Sequence, residues 1–178
     1  RHDTSKEAQE EMFLDEIDDG VRKPPETIQK AMIDFMMTCG IKWWRKWNRD
    51  LSLEEKPSCG EIERNYPYHA MMVHLSLTQD NQEKIRKMIS KEWPKAVDLF
   101  RSFDLETSSD SHPFRERWRL QKERTQDFFN SNNLPFHEIS YFIEKCIEIV
   151  EKPIRNHKTG SPYNFFKGKP YIYLLNSS

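Results

Sequence analysis

The sequence predicts a mainly α-helical domain, an irregular bundle of roughly four to six helices carrying a small two-stranded β element, with an α+β domain as the runner-up. Three observations point that way. Apolar residues recur at the 3–4 spacing of a buried helix face in several separate stretches. The connections between those stretches are short. The strict alternation expected of a strand occurs in one good stretch, residues 69–77.

Taken in order, residues 5–18 can form a short helix, with Ser5 as N-cap, acids in the first turn and Met12, Phe13 and Ile17 as a weak apolar face. Gly20 ends it, and residues 21–25, closing on Pro24-Pro25, read as a linker. Pro25 and Glu26 then open the clearest helix. Its face is Ile28, Ala31, Met32, Phe35, Met36 and Cys39, and Gly40 is its expected C-terminal stop. The Trp cluster at 41–51 reads as a second helix or helical turn. Residues 52–66 read as loop, with Pro57 and Gly60 as breakers.

The strand at 69–77 alternates Met71, Val73, Leu75 and Leu77 with Met72, His74 and Ser76. Its one obvious partner is the Tyr171–Leu175 run. From Thr78 the helical spacing returns through Ile85, Met88, Ile89 and Trp93. Pro94 is expected to break or restart that helix before Ala96, Val97, Leu99, Phe100 and Phe103. Residues 104–112 are polar and loop-like. Pro113 opens a helix with Phe114, Trp118, Phe128 and Phe129, and residues 130–134 turn. Pro135 opens the last strong helix, through Phe136, Ile139, Phe142, Ile143, Cys146, Ile147 and Val150. The organisation is therefore an acidic arm or short helix plus linker (1–24), a helical domain (25–151), and a basic, aromatic C-terminal segment packing on it (152–178).

Composition narrows the class. At 178 residues the chain is long enough to bury a core without staples. It is 36% hydrophobic and 32% charged, so its 11 Phe, 6 Tyr and 5 Trp must supply much of that core. Cys39, Cys59 and Cys146 are odd in number and widely spaced, which speaks against disulfides and zinc and for reduced thiols. There is no membrane-length apolar run and no signal-peptide core near the start. The expected setting is intracellular, cytoplasmic or nuclear. The net charge of −1 conceals a polarity: residues 1–20 are rich in acids, and no acid follows Glu151, whereas Lys152, Arg155, Lys158, Lys167 and Lys169 do.

Four constellations bear on chemistry. Asp104-Leu105-Glu106-Thr107 resembles the first motif of the DnaQ-like 3′–5′ exonucleases, whose strand-borne carboxylates hold two divalent ions. The segment before it reads as helical and no Asp follows Asp127, so a helix end with a polar loop is the favoured reading. His74-Leu75-Ser76 and His157-Lys158-Thr159 resemble the paired His-x-Ser/Thr units of the 2H phosphoesterases, but the second is flanked by Asn156 and Lys158 where that family has apolar residues. Lys158-Thr159-Gly160 matches a penicillin-binding-protein triplet without the accompanying Ser-x-x-Lys. No cofactor motif or metal-ligand spacing is evident among the scattered histidines, and Glu138, Glu144 and Glu148 read as a solvated helix face.

The fourth is Lys42-Trp43-Trp44-Arg45-Lys46-Trp47-Asn48-Arg49, where three indoles interleave with four cations. Rings of this kind stack bases and Lys/Arg neutralise phosphates. On a helix the indoles instead fall together as core and leave the cations as an exposed stripe. The favoured function is a non-enzymatic binding module for a partner protein or a single-stranded nucleic acid. Its expected contact residues are Lys42, Trp43, Arg45, Lys46, Trp47 and Arg49, joined by Lys167 and Lys169. The competing readings are a metal-dependent nuclease or phosphodiesterase using Asp104 and Glu106, and a structural piece of a larger assembly, which exposed Met and Trp side chains would mark.

Overall fold

The computed structural model describes residues 26–50, 55–73, 79–129, 134–152 and 171–174. Among these the fold is mainly α: α1 (Glu26–Arg49), α2 (Cys59–Asn65), β1 (Ala70–Val73), α3 (Gln79–Arg101), α4 (Pro113–Phe129), α5 (Phe136–Glu151) and β2 (Tyr171–Leu174). The predicted arm and helix before Pro25 lie outside the described residues.

Helix α1 runs unbroken through Gly40, which is therefore not the predicted stop. The glycine serves packing. A Cβ at Gly40 would lie 2.6 Å from Ile143 Cγ1 and 3.2 Å from the Ile139 carbonyl oxygen of α5. The bare Cα lets the two helices close, and α1 makes its most extensive interface there, while also touching α3 and α4. Its burial is correspondingly wide. Met32, Ile33, Phe35, Met36, Met37, Cys39, Ile41 and Trp43 are all buried, more than one face of the helix can hold. A helix apolar nearly all round belongs at the centre of a fold, and α1 is that centre.

The segment predicted as loop contains α2. Ser58 caps it: the Ser58 hydroxyl accepts from the Glu61 N–H (3.4 Å), and the Glu61 carboxylate accepts from the Ser58 N–H (2.8 Å) and hydroxyl (2.7 Å). This is the reciprocal capping box of a Ser-x-x-Glu sequence. Those bonds hold the Glu61 carboxyl below its usual range. Ile62 is the buried contact that pins α2.

Pro94 sits inside α3 without ending it. It removes one backbone bond and crowds the preceding turn, a cost of about 3 kcal/mol. Trp93, Ala96, Val97 and Phe100 are buried around it and offset that cost. In α4, Phe114, Trp118, Gln121 and Thr125 form the inward face at 3–4 spacing. His112 Nδ1 accepts from the Phe114 N–H at 3.2 Å, satisfying one donor of the first turn. The side chains of Phe128 and Phe129 lie outside the described residues. Helix α5 follows its predicted face closely, burying Ile139, Phe142, Ile143, Cys146, Ile147 and Val150.

Strand β1 pairs with β2 in parallel, Ala70 opposite Tyr171 and Val73 opposite Leu174. Parallel strands need a long crossover, and α3, α4 and α5 supply it. Of the predicted strand 69–77, residues 74–77 lie outside the described part.

Candidate functional site

The C-terminal half of α1 places Lys42, Arg45, Lys46 and Arg49 at i, i+3, i+4 and i+7, one stripe of the helix surface. The stripe forms a wall of a groove of about 440 Å³. Thr38, Ile41 and Pro67 also line it, and Gln121 and Thr125 of α4 face it from the other side. Four of the lining side chains are cationic and none is acidic.

Local contacts set the posture of each cation. Lys42 donates from Nζ to the Tyr68 carbonyl, so it also holds the segment leading to β1. Arg45 is half-buried, and its guanidinium is pushed below the usual range by burial first and by the charge of Arg49 second. Lys46 and Asp50 are 3.8 Å apart and both exposed, a pairing worth about 0–1 kcal/mol. Asp34, an acid behind the groove, is spent: Arg117 Nε donates to it at 2.8 Å, Arg117 Nη2 takes the second oxygen, and Gln121 Nε2 donates at 3.3 Å. That bidentate pair ties α4 to α1, and no acid is among the groove's lining residues.

The three indoles face away from this surface. Trp43 is fully buried and its Nε1–H donates to the Pro67 carbonyl at 3.0 Å. Trp44 Nε1–H donates to Glu138 at 2.6 Å. Trp47 Nε1–H donates to the Glu55 carbonyl at 3.2 Å, and its ring lies 6.0 Å from that of Phe142. Trp43 and Trp47 were expected to contact a partner directly. Trp43 is instead buried in the core and Trp47 half-buried against Phe142, while Lys42, Lys46 and Arg49 are exposed. Lys167 and Lys169 lie outside the described residues. The groove's neutral wall was missed in the sequence. Its one signal was a pair of polar residues, Gln121 and Thr125, in register with the buried Phe114 and Trp118.

His69 sits behind Thr38. Its Nε2 lies 2.9 Å from the Phe35 carbonyl and 3.3 Å from the Thr38 hydroxyl. Burial lowers its pKa to about 4, so it is neutral at physiological pH.

The Asp104 motif forms a turn, not a strand. One Asp104 carboxylate oxygen accepts from the Glu106 N–H (2.8 Å), the Thr107 N–H (2.8 Å) and the Thr107 hydroxyl (3.0 Å). These bonds hold the carboxyl below its usual range. Arg115 braces the turn by donating to the Leu105 and Ser108 carbonyls, each at 2.7 Å. A carboxylate committed to its own backbone is a poor metal ligand. Among the described residues no group of three or more His, Cys, Asp or Glu is placed to hold an ion. His74 and His157 lie outside the described residues.

The acids of α5 are inter-helix acceptors more than a solvated face. Glu138 takes the Trp44 indole, Arg101 Nη2 donates to Glu144 at 2.6 Å, and Cys59 Sγ–H donates to Glu148 at 2.9 Å. All three cysteines are free thiols, with Cys39 and Cys146 buried. Burial and Glu148 together raise the Cys59 thiol to about 11. Alkylation of Cys59 is therefore expected to be slow at neutral pH and to accelerate as pH climbs towards 11. A Glu148→Gln change, which removes the carboxylate charge, should speed alkylation at a fixed pH, measured by mass spectrometry; an unchanged rate would show that Glu148 does not govern the thiol.

No helix among the described residues is long and apolar enough to cross a membrane. Of the large apolar side chains, Tyr68 at 60% and Leu105 at 40% are the exposed ones in the described part.

Fold and groove together define a centrally threaded helical domain with a cationic cleft beside its longest helix. The chain belongs to the Z1 domain family, whose model matches residues 27–174, from the first turn of α1 to the last residue of β2. No curated protein and no solved structure matches it.

Proposed function

We propose that this Z1 domain is a non-enzymatic binding module that takes an anionic segment of a partner into the groove between α1 and α4. The observation that carries the reading is the groove's lining, with four cations and no carboxylate, in a chain whose overall charge is −1. Positive charge is concentrated on one concave surface, where Lys46 has the carboxylate of Asp50 3.8 Å away. Arg45 and Arg49 repel each other there, and a bound anion relieves that repulsion. The two arginines present forked donors suited to carboxylate or phosphate. Two indole N–H groups beneath the stripe are taken by backbone carbonyls and the third by Glu138, so recognition falls to the cations.

The test is retention of the full chain on immobilised heparin, a generic polyanion. The parent protein should be retained and elute with salt. The variant Arg45→Glu/Lys46→Glu/Arg49→Glu should pass through unretained with an unchanged near-ultraviolet circular dichroism spectrum. A charge-matched control, Arg64→Glu/Lys87→Glu/Lys91→Glu, alters exposed cations away from the groove and should elute like the parent. Equal retention of parent and groove variant would sink the reading.

A further inference from the structure

We infer that the acid-rich segment preceding α1 lies in the groove of its own chain, so that a partner's anionic segment gains the groove by displacing it. This inference rests on the anion-binding reading above and adds the regulation of that site. A line on α1 leads to it. From Ala31 to Trp43 every residue is buried except Ala31, Asp34, Thr38 and Lys42. Residues so spaced share one side of a helix, and Thr38 and Lys42 line the groove. A segment laid along α1 from its first turns is thus guided into the groove. Asp34 lies on that path already paired with Arg117, so it does not turn an acid away.

Charge and reach select the occupant. Residues 1–20 hold eight acids and two cations, whereas the whole chain has a net charge of −1, so the remainder is positive. Attraction to the groove depends on the sign of its surface and not on vacant cations: Lys42 keeps its bond to the Tyr68 carbonyl and Lys46 its neighbour Asp50. From Glu26 to Arg49 the helix rises about 35 Å. Asp15 lies 11 residues before Glu26, and a stretch of that length spans up to about 40 Å. Asp15, Glu11, Glu10 and the acids before them therefore reach even the far end of the stripe. A tethered segment meets its site at an effective concentration on the order of mM, so it needs little intrinsic affinity to compete with a free ligand.

The experiment is fluorescence anisotropy of a labelled heparin fragment with the full chain. Glu10→Gln/Glu11→Gln/Asp15→Asn should bind the fragment about tenfold more tightly than the parent, the gain expected when a segment holding the groove about nine-tenths of the time is released. Asp98→Asn/Glu106→Gln/Asp110→Asn makes the same change of net charge at exposed acids outside the groove lining and should bind within about twofold of the parent, because salt screens distant charges. Carbodiimide joins a carboxylate to a lysine amine in contact with it, with loss of water. It should link an acid of residues 1–20 to Lys42 or Lys46 within one chain, and heparin should suppress that link. A gain in the first variant no larger than in the second would overturn the inference and leave the anion-binding reading standing. So would a link to Lys152, Lys158, Lys167 or Lys169 instead, or a link that forms only between chains. Failure of every form to bind heparin overturns both.

Discussion

Replacing Trp43 by alanine is expected to destabilise the protein by about 3–5 kcal/mol, the range for truncating a large buried aromatic. Trp43 is fully buried, so its removal takes a whole indole out of the core. It also strands the Pro67 carbonyl, which accepts from its Nε1–H. Losing that acceptor's partner adds about 1 kcal/mol where water cannot replace it. Urea denaturation followed by circular dichroism should show a much lower midpoint with an unchanged slope. Trp47→Ala should cost clearly less, because that ring is only half-buried. The pair separates two roles for the Trp cluster. A Trp43→Ala protein of undiminished stability that no longer binds polyanions would place Trp43 on the contact surface and contradict its position in the core.

Gly40→Ala is expected to destabilise by about 1–3 kcal/mol, the usual cost of overpacking a tight contact, although alanine is the better helix former by about 1 kcal/mol. The sign follows from the neighbours. The added methyl would meet Ile143 Cγ1 at 2.6 Å and the Ile139 carbonyl oxygen at 3.2 Å. The isoleucine can turn, but the carbonyl belongs to the α5 backbone, so the helices must part. Gly60→Ala is the matched control. Its methyl would meet nothing closer than Arg64 Nη1 at 3.6 Å, the far end of a long side chain, so there the helical preference should prevail and stabilise by about 0.5–1 kcal/mol. Opposite shifts in melting temperature are expected for the two variants. Stabilisation by both would mean that α1 and α5 do not approach closely at Gly40.

These residues also show what the sequence could and could not disclose. Helix α5 was legible because it packs through one face, so its apolar positions keep a simple 3–4 period. Helix α1 was legible as a helix, but it packs on several sides at once and buries Ile33 and Met37 off its predicted face, and Gly40 carries the same letter whether it ends a helix or admits a neighbour. Helix α2 was hidden because Pro57 and Gly60 outweighed the Ser58–Glu61 capping box that nucleates it. The basic stripe could be read from its spacing, since i, i+3, i+4 and i+7 is a local relation. The groove could not, because its second wall stands on α4 and comes into place through a tertiary link such as that of Gln121 to Asp34, 87 positions earlier. The Asp104 segment forms the polar turn that the helical reading of the residues before it favoured. Its letters resemble a metal site, but without a strand beneath them the carboxylate turns back on its own amides.

The packing of α1 has a further consequence for how the chain is made. A helix greasy over most of its circumference is synthesised about 100 residues before the isoleucines that close over Gly40. At translation speeds of about 5–20 residues per second, α1 waits about 5–20 s for its cover, far longer than any helix takes to form. During that interval Met32, Phe35, Met36 and Trp43 of the nascent chain lack their cover, and the two helices come together only once α5 has cleared the ribosome.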